Sequence, residues 1–137
     1  GYSVKDFGPE TLDAEDDYSD FGSTVARALS LGKIDLGILI CRSGVGMSIN
    51  ANRFHGVRAV VTTEEKIVKS SREHNCSNML VLQGDYVSLE EAKNLFNLWT
   101  ATPFSGDARH IRRLSKLERN SYDDIAAVRF ADPEIAE

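Results

Sequence analysis

The feature that most constrains this chain is a threefold alternation of short apolar runs with segments of helical periodicity. Residues 34–41 are almost unbroken hydrophobic residues, and they turn abruptly into Arg42-Ser43-Gly44-Val45-Gly46 and a helix-competent stretch, 47–53. A β-branched run follows at 57–61 and a third apolar run at 79–83. Between these two, Thr62-x-x-Glu65 reads as a capping box opening a helix to about His74. Ser88-x-x-Glu91 repeats the device, and Ala92, Leu95, Phe96 and Trp99 fall on one face of the helix behind it. An earlier helix over 18–31 sets Phe21, Val25, Ala28 and Leu29 on one side, with Gly32 as its stop. Residues 2–7 alternate like a strand until Gly8-Pro9 breaks them, and a last helix covers 108 to about 119. Strands alternating with single helices, and apolar enough to be buried on both sides, predict an α/β fold whose parallel β-sheet is covered by helices on both faces. Ligands bind such sheets at the carboxyl ends of the strands, so the residues after Ile40, Val61 and Leu82 come first as site candidates.

The 137 residues, 42% hydrophobic and 27% charged, suffice for one domain with its own core, which argues against both a disulfide-held miniprotein and a disordered chain. We assign that domain to residues 1–118 and read the polar residues 119–137 as a C-terminal extension. A net charge of −5 gives no support to general nucleic-acid binding, although a local basic patch can still hold one phosphate. No run approaches the ~20 apolar residues of a membrane span. Residues 1–10 mix charge with turn residues, unlike a signal peptide. Two cysteines in unlike contexts, Cys41 and Cys76, fit a reduced, cytoplasmic protein.

Several residues have both a chemical and a structural reading. The 41–46 loop can offer backbone amides to an oxyanion at a helix start, or it can be a plain tight turn. It is not a dinucleotide fingerprint, because Ile49 stands at the third glycine position, and it lacks the Gly-Lys-Ser/Thr of a P-loop. Cys41 ends the strand, where the following amides can stabilise a thiolate base; the alternative is a small buried hydrophobe, as we read Cys76. His74-Asn75 ends a helix, where imidazole can shuttle protons and the amide can donate to a substrate oxygen, or where both are simply solvated. His55 reads as a loop residue, while His110 either assists the basic segment around it or lies on the surface. Arg109 and Arg113 share a helix face, with Arg112 and Lys116 nearby, and form either a phosphate grip or a solvated stripe. The acidic stretch 13–17 has no metal-loop spacing.

The string Gly37-Ile38-Leu39-Ile40-Cys41-Arg42-Ser43-Gly44-Val45-Gly46-Met47-Ser48 resembles the type B ribose-5-phosphate isomerases, in the family they share with bacterial galactose-6-phosphate isomerase. So do Ala51-Asn52-Arg53, Gly56-Val57-Arg58-Ala59, Arg72-Glu73-His74-Asn75, Tyr18-Ser19-Asp20-Phe21 and the 109–113 segment, so the resemblance runs from residue 1 to about 118. It implies a Rossmann-like three-layer sandwich. The implied activity interconverts an aldose phosphate and a ketose phosphate, ribose 5-phosphate and ribulose 5-phosphate of the pentose phosphate pathway, without metal or organic cofactor. Carried over by motif, Cys41 is the base, and Ser43 sits with the Gly44, Val45 and Gly46 amides around the enediolate oxygens. His74 helps to open the sugar ring, Asn75 holds a substrate oxygen, and Arg109 and Arg113 bind the phosphate. Met47 stands where another branch of the family carries a glutamate, which points to the cysteine branch. The resemblance also implies a homodimer or a higher oligomer, in which Cys41-side and His74-side residues from different subunits meet. Family members have glycine where Arg42 stands, and they begin with a strand ending in an Asp-His pair and a helix that residues 1–137 do not supply. Two alternatives stay open: a non-catalytic phosphosugar-binding module, and an isomerase of a six-carbon sugar phosphate.

Overall fold

The computed structural model describes residues 1–121. Most of the extension expected over 119–137 therefore lies outside the described residues. Helix α1 (Tyr18–Ser30) leads into strand β1 (Gly37–Cys41) and helix α2 (Val45–Ala51). Strand β2 (Ala59–Val61), helix α3 (Glu65–Asn75) and strand β3 (Met79–Gln83) follow, then helices α4 (Leu89–Ala101) and α5 (Ala108–Ser121). All pairing is parallel in the order β1-β3-β2, with Gly37 opposite Met79 and Cys41 opposite Gln83 on one side, and Ala59 opposite Met79 on the other. This is the expected α/β sandwich.

Because β3 is central, its alternate side chains enter two separate cores. Met79 and Val81, with Leu39 of β1, pack against Ala26 and Leu29 of α1 and Met47 and Ala51 of α2. Leu80 and Leu82 point the other way, against Val68 of α3 and Leu95 and Trp99 of α4. Trp99 is fully buried and its indole N–H donates to Ser77 Oγ at 2.8 Å, so the large ring leaves no polar atom unpaired.

The structure corrects several element boundaries. Only 37–41 of the apolar run 34–41 is strand: β3 begins at Met79, and the Gly37 amide bonds the Asn78 carbonyl just ahead of it, so residues 34–36 have no neighbour with which to ladder. Residues 2–7 form no strand; apart from the half-buried Phe7 they are exposed, and Tyr2 rests edge-on against Phe96 at 6.0 Å. Thr62 does not open a capping box, because its hydroxyl accepts the Glu64 amide at 3.0 Å, Glu64 is the N-cap and the helix begins one residue later. Helix α2 stops at Ala51, and Asn52 instead pairs with the free edge of β2, accepting from the Ala59 amide at 2.7 Å and donating to its carbonyl at 3.1 Å. The capping box at Ser88 and Glu91 does form, with bonds of 3.1 and 2.7 Å. Among the described residues no helix is long and apolar enough to cross a membrane.

Candidate active site

At the carboxyl end of β1 the chain must reverse from strand to helix within a few residues. Gly44 makes this possible by taking φ +77°, a left-handed value that side chains disfavour. A Cβ there would also lie 2.6 Å from Val61 Cγ2, so the loop backbone sits directly on β2. Gly46 is equally crowded: a Cβ would meet the Tyr18 ring at 2.5 Å, which seats the start of α1 against the start of α2.

This turn wraps the amides around Cys41. The Gly44 N–H donates to Cys41 Sγ at 3.1 Å, and Cys41 is a half-buried free cysteine. That N–H is a hydrogen-bond donor fixed at the sulfur, the atom through which a cysteine acts as base or nucleophile. Ser43 is exposed; its hydroxyl accepts the Val45 amide at 3.3 Å and its carbonyl accepts from Gln83 Nε2 at 2.9 Å, fixing the loop to the end of the central strand. The Arg42 side chain is exposed, its Nε paired with Asp85 Oδ2 at 2.9 Å in a largely exposed ion pair. The Gly84 and Asp85 amides bond the Cys41 and Arg42 carbonyls at 2.8 and 3.0 Å, so the backbone at Arg42 is tied to the turn after β3.

The second group of residues collects at the opposite end of the sheet. Helix α3 connects two parallel strands and so runs back against them, leaving His74 and Asn75 below the amino end of β3. They are exposed, and their turn is anchored from beneath by the buried Arg72, which donates to the Thr102 carbonyl at 3.1 Å and to the Ser77 carbonyl and lies over the Trp99 ring. The Ser105 amide bonds the Glu73 carbonyl at 3.1 Å, bringing the approach to α5 alongside. The first turn of α5 therefore carries Arg109, and the second Arg113, both close enough to His110 for their charges to act on it.

His110, for which surface placement was one expectation, is buried. Its ring stacks on that of His74, with centroids 4.5 Å apart and planes at 18°. Burial lowers its pKa below 6.5, reinforced by His74, Arg109 and Arg113 against the opposing pull of Asp107. Further along α5, Glu118 is buried and accepts from the Gly56 amide and from Arg58 Nη1, both at 3.2 Å, with His55 Nδ1 at 3.5 Å, so the helix is tied to the loop before β2. No motif marks Glu118 as an anchor, and the basic segment around His110 leaves its burial unannounced. Their spacing with Leu114, at i, i+4 and i+8, was the available signal of a buried stripe.

Thus two clusters exist in one chain: Cys41, Ser43, Gly44, Val45 and Gly46 at the carboxyl end of the sheet, and His74, Asn75, Arg109 and Arg113 at the amino end. Cys41 is level with Gln83 and His74 lies beyond Met79, so the sheet separates them by at least about 13 Å at the usual rise per strand residue. A cleft of about 410 Å³ between β2, α3 and α5 is lined by Asn75, Ile67, Ser71 and Leu114 but by neither Cys41 nor His74. Among the described residues no group of three or more metal-ligating side chains gathers.

Residues 1–117 match the Ribose/Galactose Isomerase family. The chain is similar to ribose-5-phosphate isomerase B of Escherichia coli, 43% identical over 101 residues that cover 74% of this chain and 67% of the relative. It also resembles D-erythrulose-4-phosphate isomerase of Pectobacterium atrosepticum, 30% identical over 106 residues, or 77% of this chain and 70% of the relative. Among solved structures, ribose-5-phosphate isomerase B from Mycoplasma genitalium with bound ribulose-5-phosphate superposes with a TM-score of 0.82 at 38% identity, covering 87% of this chain and 78% of that one. The glycine loop at Cys41, the α/β sandwich and a match over nearly the whole described chain lead to one assignment: this protein is an enzyme of the ribose/galactose isomerase family.

Proposed function

We propose that this enzyme interconverts ribose 5-phosphate and ribulose 5-phosphate, with Cys41 as the base and an enediolate as the intermediate. The observation that carries the reading is the Gly44 N–H aimed at Cys41 Sγ, 3.1 Å away in a loop whose other amides start a helix. In the open-chain aldose, the Cys41 thiolate takes the C2 hydrogen as a proton. The C2–H electron pair becomes the C1–C2 double bond and negative charge moves onto O1, where the Ser43 hydroxyl and the Gly46 amide stabilise it, while the Gly44 and Val45 amides hold Cys41 Sγ and Ser43 Oγ in place. Return of the abstracted proton to C1, with transfer of the O2 proton to O1, leaves a hydroxyl at C1 and the ketone at C2. Arg109 and Arg113 hold the phosphate away from the reacting carbons and so set the orientation of the substrate. His74 donates a proton to the ring oxygen as the C1–O4 bond opens, and Asn75 binds a substrate oxygen.

Because the two clusters lie at opposite ends of one sheet, we assign each complete site to two copies of the chain, the Cys41 end of one facing the His74 end of the other. A two-fold dimer makes two such sites. The direct test is ketose formation from ribose 5-phosphate by native protein and by the Cys41→Ala variant. Turnover lost with the thiol in a folded dimer supports the assignment, and undiminished turnover refutes Cys41 as the base. A second reading, an isomerase of another sugar phosphate, is favoured by the similarity to D-erythrulose-4-phosphate isomerase and predicts a higher kcat/KM on a four- or six-carbon substrate in the same assay.

A further inference from the structure

We propose that His110 is a positioning residue for sugar-ring opening: its buried imidazole holds the plane of the His74 ring through the stacked contact and leaves the opposite face of His74 to the substrate. This rests on the reading of His74 as the ring-opening residue.

Three observations carry it. First, the His74 ring is otherwise loosely held. It is exposed at the last turn of α3, and among the described residues no hydrogen bond fixes its imidazole. A side chain that transfers a proton to a ring oxygen must have its nitrogen directed there, and free rotation would spread that nitrogen over many directions. Second, His110 is only 6% exposed, and its Nε2 has no hydrogen-bond partner among the described residues. Placing an imidazole where a nitrogen stays unsatisfied is costly unless the ring serves another purpose, and leucine would fill the same space without that cost. A flat ring, however, offers His74 a planar face that leucine lacks. Third, the groups facing His110 are His74 on α3 and Asp107, Arg109 and Arg113 on or beside α5. Burial and the cations beside it favour its neutral form, so it does not oppose positive charge on His74.

The ring opens by breaking the C1–O4 bond, with a proton delivered to O4 and one released from the C1 hydroxyl. An aldose phosphate that cannot close a ring has no need of this step. D-Erythrose 4-phosphate is such a probe, since the oxygen that would close its five-membered ring carries the phosphate. The experiment compares native enzyme with His74→Asn, His110→Leu and His110→Phe on ribose 5-phosphate and on D-erythrose 4-phosphate, with folding and oligomeric state checked for each. His110→Leu should lose roughly tenfold or more in kcat/KM on ribose 5-phosphate, the scale of a misplaced catalytic group, while its loss on the acyclic substrate stays within about twofold. His110→Phe, which restores a planar ring, should recover most of the ribose 5-phosphate activity. Equal losses on both substrates, or no recovery with phenylalanine, overturn the proposal. If His74→Asn itself shows no ring-dependent loss, the ring-opening role of His74 fails; if it does and His110→Leu does not, only the positioning role fails.

Discussion

Two inactive variants, mixed, should restore activity. Within one chain Cys41 and His74 are separated by at least about 13 Å of sheet, whereas proton transfer requires each group within about 3 Å of the atom it serves. A single copy therefore cannot apply both to one substrate, and a two-fold pair can apply both twice. In a mixed dimer of Cys41→Ala with His74→Ala, one site receives both defects and the other receives neither. If subunits exchange at random, half the dimers are mixed and each has one intact site, so the mixture should reach about a quarter of native activity although neither parent has more than a trace. Differently tagged subunits, co-expressed and purified through both tags, should reach about half. The assay is ketose formation from ribose 5-phosphate on material whose dimeric state is verified by light scattering. Mixed dimers no more active than their parents would refute the shared site, and so would a fully active monomer.

Gly44→Ala should cost about 1–3 kcal/mol in denaturant unfolding, because alanine is strained at φ +77° and its Cβ meets Val61, and most activity should be lost with the displaced amides. Arg113→Ala should raise KM for ribose 5-phosphate far more than it lowers kcat, as expected for uniform phosphate binding; unchanged kinetics would contradict that role. Glu118→Ala should lower stability by roughly 1.5–3 kcal/mol by removing acceptors from Arg58 and Gly56, measurable in the same unfolding assay. His110 has its folded-state pKa lowered from 6.5, so near and below that value the unfolded chain binds more protons at this site than the folded one. Its contribution should therefore be fully present above pH 6.5 and fall as the pH drops through that value, and His110→Phe should flatten this part of the stability profile.

Most of the fold was legible because the central strand announces itself. Residues 79–83 are apolar on both faces and bounded on both sides, and β3 coincides with them. Where a boundary depends on a partner rather than on the segment itself, the sequence misleads. Residues 34–36 are as apolar as the strand they precede, but a ladder needs a neighbour, and β3 supplies none above Met79. Residues 2–7 alternate well but form no strand among the described residues. Thr62 has the right spacing to Glu65 for a cap, yet its hydroxyl closes a turn onto Glu64 instead, a choice set by where β2 releases the chain.

The site divides along the same line between local and tertiary causes. Cys41 with its amides could be read from the sequence, because Gly44 and Gly46 act within a few residues of the sulfur. His110 could not, since Arg109, Arg112 and Arg113 surround it and make its segment look solvated; burial follows from its alignment with Leu114 and Glu118. Glu118 in turn is buried where His55, Gly56 and Arg58, distant in sequence, meet it. The separation of Cys41 from His74 is the reverse case, a long-range fact already contained in the element order. Parallel neighbours force the connecting helix to run back across the sheet, so a residue at the end of α3 must lie at the amino edge while a residue at the end of β1 lies at the carboxyl edge. The residues proposed for the reaction sit at these two opposite edges, which is why the proposed site is assigned to two chains.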